Sequence, residues 1–576
     1  MIRSTFPPFV ALRRLPLRLA DLAFILGVLT LLGVLAKVGS GALVSFAPPV
    51  NVPHVALDPR NLPYYAARST LRMAIALVWS LIFTLVYGYA AARSRMAERA
   101  LIPLLDILQS VPVLGFLSVT ITGFIALFPG SLLGLEFASI FAVFTAQAWN
   151  MTFAFYQSLR AIPAELDEAA TLYRLSSWQR FVKLELPSGM IPLVWNAMMS
   201  FGGGWFFVAA SEAISVLNQK YTLPGLGSYV AAAIAAQDTH ALVWAVVTIA
   251  VVIVVIDQLF WRPIVAWSDK FRIELSAAAE PPRSWVYDII RAASIPALLA
   301  RLWRPAAEAA NRWLSRLTAA RNPSLAAGWS PHIEQLYNAT LIVIAIGLIV
   351  AATRFVLSTV GIVEVLRVCA LGLATLTRVL IIVLGASLLW VPVGVAIGFS
   401  PKLRRALQPV VQLLASFPAN FVFPFATLAF IALHVDINAG CILLMALGSQ
   451  WYILFNAIAG AQSIPTELRE MADDLQVTGW LRWRRLIVPG IFSSWVTGAI
   501  TASGGAWNAS IVSEIVSWGS TTLTAVGLGT YIADATSKGD WPRITLGVGI
   551  MSVYVVVLNR VLWRRLYRLA EARFGL

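Results

Sequence analysis

A polar segment written twice inside an otherwise apolar chain limits the possible folds more than any other feature. It reads IPAELDEAATLYRLSSWQRFVKLELP at 162–187 and IPTELREMADDLQVTGWLRWRRLIVP at 464–489, an offset of 302 residues. At the same offset Trp149 matches Trp451, Gly203-Gly204-Trp205 matches Gly505-Ala506-Trp507, and Glu212 matches Glu514. Gly225-Leu226-Gly227 likewise matches Gly527-Leu528-Gly529, Asp238 matches Asp540, and Trp261 matches Trp563. Upstream the offset becomes 306, pairing Arg72 with Arg378, Pro103 with Pro409, Ser110 with Ser416 and Pro112 with Pro418. The change falls in loops near 129–136 and 434–438, where length costs little. Such self-similarity is the mark of duplication and fusion, so the fold must consist of two related halves.

Composition then sets the class. With 59% hydrophobic and 12% charged residues and a mean hydropathy of +0.78 over 576 residues, the chain is an integral membrane protein. The net charge of +15 sits mainly at the ends of apolar runs, without a basic face interleaved with aromatics, which argues against nucleic acid as a partner. Cys369 and Cys441 lie near apolar stretches, without metal-ligand spacing or a disulfide framework. Arg3, Arg13, Arg14 and Arg18 precede the apolar run 22–38, but no small-residue cleavage site follows it, so the run reads as a retained first helix.

Apolar runs long enough to cross about 30 Å of hydrocarbon fall near 20–44, 70–92, 111–128, 137–157, 190–211 and 241–262. A second set falls near 336–357, 377–398, 409–433, 438–460, 491–513 and 543–563. The expected fold is therefore all-α and transmembrane, with about twelve helices arranged as two parallel six-helix repeats, 1–262 and 333–576. Cytoplasmic N- and C-termini put Arg93, Arg95, Arg99, both repeated loops, Lys402, Arg404, Arg405, Arg564, Arg565 and Arg568 inside, as the positive-inside bias requires. Residues 263–332 read as a cytoplasmic amphipathic linker, in which Pro281, Pro282, Pro296, Pro305 and Pro323 separate short segments. In the segment 306–321, Ala309, Trp313, Leu314 and Leu317 recur at helical spacing beside Arg312, Arg316 and Arg321, the pattern of a helix on the inner leaflet. A linker covering its own apolar stripe and a regulatory element both fit that pattern.

Each repeated loop should be a helix, a turn and a second helix that ends at Pro187 or Pro489, where the next span starts. Pro163 and Pro465 suit a first helical turn, and Glu165, Asp167, Glu168, Glu467 and Glu470 place negative charge near its positive end. Such an element is rigid enough to transmit a push and exposed enough to receive one.

These residues resemble the permease subunits of ATP-binding-cassette importers, whose cytoplasmic coupling loop has a Glu-Ala-Ala start, a glycine six residues after the Glu, and a Leu-Pro end. Here Glu168-Ala169-Ala170 leads to Leu186-Pro187, and Glu470-Met471-Ala472 leads to Val488-Pro489, both with the family's spacing. The surrounding text resembles the nitrate, sulfonate, taurine and bicarbonate branch, with TLTRVLI after Ala374, Ser416-Phe417-Pro418, a Ser-Ile-Pro motif, and Ser-Glu at 211–212 and 513–514. The chain departs from the pattern at the glycine position, which holds Arg174 and Gln476, and in the acids Asp473 and Asp474. Turn geometry is therefore in question, and Gly479 is the first glycine after the second motif.

The resemblance implies a type I importer permease in the bacterial inner membrane. Two separate ATPase subunits would dock on the loops, bind ATP and Mg themselves, and rock the helices between inward- and outward-open states. A periplasmic solute-binding protein is a further optional partner. The chain has no motor of its own, because none of its six lysines follows a glycine. His54, His240, His332 and His434 form no metal or catalytic pair, so the chain reads as a transport subunit, neither enzyme nor metalloprotein.

By the same resemblance, the route for substrate runs near the fifth and third helices, making Ser110, Gln147, Asn150, Asn196, Ser416, Asn420, Gln450 and Asn508 candidates; helix bridging is the competing role for each. Arg72 and Arg378, with Arg60, Arg68, Lys220, Arg354 and Arg367, suggest a basic funnel for an anion or, alternatively, contacts to headgroups. Glu212 and Glu514 read either as a cation or proton site or as carboxylates that hold the loop at each Gly-Leu-Gly. Repeat-matched Trp149, Trp205, Trp451 and Trp507 could line a cavity, with most other tryptophans in interfacial belts. An ion- or proton-coupled carrier is the rival reading, although it has no use for paired helix-turn-helix loops.

Overall fold

The computed structural model describes residues 19–40, 55–115, 117–216, 219–271, 284–319 and 331–574; Arg3, Arg13, Arg14, Arg18, His54, Pro281, Pro282, Arg321 and Pro323 lie outside the described residues. Helices dominate it, and eight of them among the described residues are long and apolar enough to cross a membrane. Four of these lie in the second repeat beyond its first span: Ile362–Phe399, Ile437–Ser463, Gly479–Ser513 and Trp541–Ala570. The expected runs 111–128 and 409–433 are not single spans. In the first, helix Arg95–Ser110 gives way to a 3₁₀ turn at Val113–Gly115 and then to the short helix Leu117–Leu127; in the second, Pro401–Ser416, Ala419–Phe421 and Phe423–Leu433 do the same. Pro112 and Pro418 cause the break, since proline lacks the N–H that would continue the ladder and biases the preceding residue toward extended backbone. Val111 and Phe417 are indeed extended. Leu133–Arg160 has the length of a span but carries Glu136 in its first turn.

The all-α expectation needs one addition. Two short antiparallel hairpins, Ala213–Val216 with Gln219–Thr222 and Ile515–Trp518 with Thr521–Thr524, follow Glu212 and Glu514 at the 302 offset. Each leads into its Gly-Leu-Gly and a short helix, Leu226–Ala235 or Leu528–Lys538.

The described residues form two compact units that cut across the duplication. One gathers the described parts of Met1–Lys37, Pro163–Ile191 and Ile256–Pro323; the other holds Val38–Ile162, Pro192–Val255 and Ser324–Leu576. In the second unit the main core mixes residues of both repeats: Leu114, Leu117, Ile121 and Leu135 pack with Met445, Trp507, Leu528 and Met551. Apolar packing between half-helices therefore joins the repeats directly.

In the first unit the linker differs from the expected pattern of broken segments. A single helix runs over Ser294–Ala319, with Pro296 in its first turn and Pro305 inside it. A first-turn proline gives up an N–H that has no intrahelical partner anyway, whereas Pro305 forgoes one bond. The helix start is secured from elsewhere: buried Asp21 accepts from the N–H (2.6 Å) and Oγ (2.6 Å) of Ser294 and from the Ile295 N–H (2.9 Å).

Pro187 and Pro489 do not end a helix either. Ser177–Arg180 continues through a wide π-turn, Phe181–Glu185, into Leu186–Glu212, and Gly479–Arg482 continues through Trp483–Ile487 into Val488–Ser513. Leu186 N–H bonds to Phe181 C=O and Val488 N–H to Trp483 C=O, shifting the carbonyls that the following proline rings would otherwise strike. The same turn recurs at Asp257–Trp261 before Pro263 and at Asn559–Trp563 before Arg565, so proline alone does not set it.

Close approach explains the repeated Gly-Leu-Gly. A Cβ at Gly225 or Gly527 would run into the Glu212 or Glu514 carboxylate, and one at Gly227 or Gly529 into the Ala209 or Ser510 carbonyl. Gly385, by contrast, lies within a helix with open space around it. Gly529→Ala should lower the thermal midpoint of the detergent-solubilised protein by several degrees, whereas Gly385→Ala should leave it unchanged or raise it, as read by fluorescence-detected size exclusion.

Candidate functional site

The repeated loops share one backbone design. Helix Ala164–Leu172 carries Glu165 and Asp167 in its first turn, and helix Thr466–Asp474 carries Glu467. Both close with the same cap: Leu175 N–H bonds to Ala170 C=O (3.1 Å) and Arg174 N–H to Thr171 C=O (2.9 Å), while Val477 N–H bonds to Ala472 C=O (2.8 Å) and Gln476 N–H to Asp473 C=O (3.0 Å). This pair of bonds is the Schellman motif, which needs a left-handed residue after the cap. Arg174 (φ 51°) and Gln476 (φ 54°) supply it despite carrying side chains. The family's glycine position thus keeps its geometry without glycine. The two buried alanines of the motif, Ala170 and Ala472, sit where the cap folds back on the helix.

Beyond the cap the loops differ. Ser176 and Gln179 form a reciprocal capping box, which Thr478 lacks; there Gly479 (φ 58°) turns the chain. Arg180 pairs with Asp167 and also with Glu185 (3.2 Å), whereas its counterpart Arg482 pairs with Asp473. The extra acid of the second loop therefore replaces the one missing at Arg469, and the ion pair survives on different scaffolding. Glu165, Glu168, Glu467 and Glu470 are exposed, Ala169 is half-buried, and Pro187 and Pro489 are half-buried at the wide turns. Large apolar side chains stand in solvent beside them: Leu172 (82% exposed) and Tyr173 in the first loop, and Met471, Leu475, Trp480 (78%) and Leu481 in the second. Clustered exposed apolar groups rimmed by charge mark an interaction surface.

A second feature lies under each hairpin. Glu212, fully buried, accepts from Arg72 Nη1 (2.6 Å), Ser69 Oγ (2.5 Å) and the Gly227 N–H (2.7 Å). Glu514, equally buried, accepts from Arg378 Nη1 (2.8 Å), Thr375 Oγ1 (2.8 Å) and the Gly529 N–H (2.7 Å). In the first repeat Glu136 additionally receives Arg72 Nε (2.6 Å) and pairs with Arg68. The equivalent positions in the second repeat are Asn438 and Ala374, and Asn438 Oδ1 accepts from Arg378 Nη2 (3.0 Å). One repeat buries two cations with two anions and the other one with one, so each cluster is balanced. Arg72 and Arg378 thus face carboxylates. Of the other funnel candidates Arg68 is buried, Arg60, Arg354 and Arg367 are exposed, and the Lys220 side chain lies outside the described ones.

The third feature is a cavity of about 210 Å³ within the second unit. Its walls are supplied in repeat-related pairs, Trp149 with Trp451, Gly202 with Gly504 and Gly203 with Gly505. Other pairs have exchanged chemistry: Gln109 faces the role of Ala415, Thr145 of Leu447, Asn150 of Tyr452, and Phe206 of Asn508. None of its described lining side chains carries a formal charge. Hydrogen bonds cross between the repeats at matching places, from Val113 N–H to Asn508 Oδ1 (3.0 Å) and from Asn420 Nδ2 to Phe206 C=O (3.2 Å).

Of the other path candidates, Asn150 and Asn508 line this cavity and Ser416 a smaller neighbouring one. Gln147 is buried with Ser80 Oγ at 3.5 Å from its Oε1, Asn196 bonds its own helix at Pro192 C=O (2.9 Å), and Gln450 accepts from Trp390 Nε1 (2.8 Å). The Ser110 side chain lies outside the described ones. Of the four repeat-matched tryptophans proposed for the cavity, Trp149 and Trp451 line it while Trp205 and Trp507 are buried. Sequence reading missed Glu136 and Tyr452. An acid in an apolar run, opposite an unexplained Arg68 and Arg72, was the available signal for the first; Tyr452 carried none, since its repeat partner is Asn150.

Comparison with known proteins shows the family to which the repeats belong. The family model described as binding-protein-dependent transport system inner membrane component matches twice, over 73–260 and 390–575. A nitrate import permease protein of Leptolyngbya laminosa is 26% identical over 186 residues, 32% of this chain and 63% of that protein. A bicarbonate transport system permease protein of Synechocystis is 30% identical over 177 residues (30% and 59%), and a taurine transport system permease protein of Escherichia coli is 26% identical over 197 residues (34% and 68%). The chain thus spans about six-tenths of the length of the first of these relatives.

Two outcomes are expected from the site geometry. Because a side chain in the left-handed region costs about 1–2 kcal/mol, Arg174→Gly and Gln476→Gly should each raise thermal stability, measured by the same chromatographic melt. Glu136→Gln should destabilise by about 3–5 kcal/mol, since it leaves a buried guanidinium unpaired, whereas the double variant Arg68→Ala/Glu136→Asn, which copies the second repeat, should recover most of that loss.

Proposed function

This chain belongs to the family of binding-protein-dependent transport system inner membrane components, two copies of the domain in one polypeptide, and from that premise we propose that it supplies both permease halves of an ATP-binding-cassette importer for a small anionic solute. The observation that carries this reading is the pair of loops with identical helix caps, exposed acidic first turns and exposed apolar side chains. Two separate ATPase subunits dock there, bind ATP and Mg, and drive alternating access; this subunit is multi-pass and not itself an enzyme. The positive-inside bias supports cytoplasmic termini and cytoplasmic loops in a bacterial inner membrane. A periplasmic solute-binding protein delivers the cargo.

The names of the relatives, nitrate, bicarbonate and taurine permeases, motivate the anion. The cavity supports a weakly held one: the Asn150 amide and the second N–H of the Asn508 amide can donate to an anion, and the absence of a cation among its described lining residues keeps it from being trapped. Glu212 and Glu514 then serve as structural anchors, since arginine, hydroxyl and backbone N–H groups occupy their oxygens.

In proteoliposomes, uphill uptake should require the cognate ATPase and Mg-ATP. Glu470→Lys should lower ATPase co-purification about tenfold, equivalent to about 1.4 kcal/mol, while leaving the thermal midpoint unchanged. Uphill uptake driven by an ion gradient without the ATPase, or undiminished co-purification with Glu168→Lys/Glu470→Lys, contradicts the proposal.

A further inference from the structure

The linker helix Ser294–Ala319 touches the first loop on one side and, among the described residues, presents exposed apolar side chains on another. Trp178, at the start of the second helix of the loop, donates from Nε1 to Asn311 Oδ1 (2.5 Å), and its backbone N–H reaches Thr318 Oγ1 (3.4 Å). Its repeat counterpart, Trp480, stands 78% exposed, and the chain has only one such linker. The two loops are therefore held differently, although their caps match.

At 3.6 residues per turn, Leu299, Leu302, Trp303, Trp313 and Leu317 fall within about a third of the helix circumference, and all five are exposed, Trp303 at 71% and Trp313 at 62%. Asn311 and Thr318 lie on a different face, turned to the loop. Arg301, Arg312 and Arg316 are exposed along the remaining side. Arg304 pairs with Glu308 (2.8 Å), the only acid of the helix. An apolar band bearing tryptophans, bordered by arginines with almost no opposing charge, matches the chemistry of an anionic lipid interface. Chain connectivity agrees: the linker lies between the spans Thr239–Phe271 and Gln335–Thr359, with only residues 320–330 separating this helix from the helix of the next span. A protein partner would have to compete with a bilayer that the chain can never leave.

We infer that the Ser294–Ala319 helix binds the anionic inner-leaflet surface through its tryptophan band and arginines, and clamps the first coupling loop to that surface through Trp178, a restraint the second loop lacks. This goes beyond the importer reading and shares with it only the orientation of the chain. Taken together with the importer reading, the motor on the first loop would push against a membrane-referenced lever and the one on the second against a free one.

Hydrogen exchange of the full chain in nanodiscs tests this without any ATPase. Peptides covering 294–319 and 177–185 should exchange about tenfold more slowly in phosphatidylcholine discs containing phosphatidylglycerol than in phosphatidylcholine alone, while 479–487 should not respond. Arg301→Glu/Arg312→Glu/Arg316→Glu should abolish the lipid effect on both segments, with 479–487 reporting that the variant is folded. Asn311→Ala should release 177–185 but leave the helix protected. Equal exchange in both lipids, or protection of the helix that arises only when ATPase subunits are added, overturns the inference. Because no motor is present in the lipid comparison, its failure leaves the importer reading standing.

Discussion

Outside the two repeated loops, the fold hangs on a carboxylate buried at the end of a long helix. Glu212 and Glu514 each gather an arginine from a long helix further back in the same repeat (Leu62–Arg93 or Ile362–Phe399), a hydroxyl one turn from that arginine, and a backbone N–H from the chain that returns after a hairpin. In an apolar environment an isolated carboxylate is prohibitively costly, so all its oxygens must be met at once. That requirement draws the hairpin, the Gly-Leu-Gly and the arginine helix to one point. The glycines follow from it: their backbone lies so close to the carboxylate or a neighbouring carbonyl that no Cβ fits.

The two repeats meet the same requirement with different residues, which makes the constraint visible within one chain. Arg68 and Glu136 are present together in the first repeat and absent together in the second, where Ala374 and Asn438 stand. Charge balance, not residue identity, is what the duplication preserved. The loops tell the same story: Arg180 and Arg482 keep an ion pair by recruiting acids from different turns of the preceding helix. Where no such constraint acts, as on the cavity walls, the repeats have drifted apart, with Asn150 opposite in kind to Tyr452 and Phe206 to Asn508.

That drift matters for mechanism. A cavity lined by neutral donors and aromatic rings, and two loops of which one is held by a linker helix, describe a machine whose halves share a scaffold but are not interchangeable. Fusion into one chain permits this, because each half can specialise without having to pair with copies of itself.

Much of this architecture is legible in the sequence. Apolar run length and the 302-residue offset determined a duplicated, helical, membrane-spanning chain, and the spacing from Glu168 to Pro187 and from Glu470 to Pro489 located the loops, because hydrophobic thickness and local capping are one-dimensional constraints. Only tertiary structure decided that Arg72 and Arg378 face Glu212 and Glu514 instead of an open funnel, that Arg174 and Gln476 hold a glycine's conformation, that Pro305 lies within a helix, and that Trp178 is covered while Trp480 is bare. Each of these depends on which side chains meet across more than a hundred residues, or on whether neighbouring contacts outweigh a local preference, and no periodicity in the sequence encodes that balance.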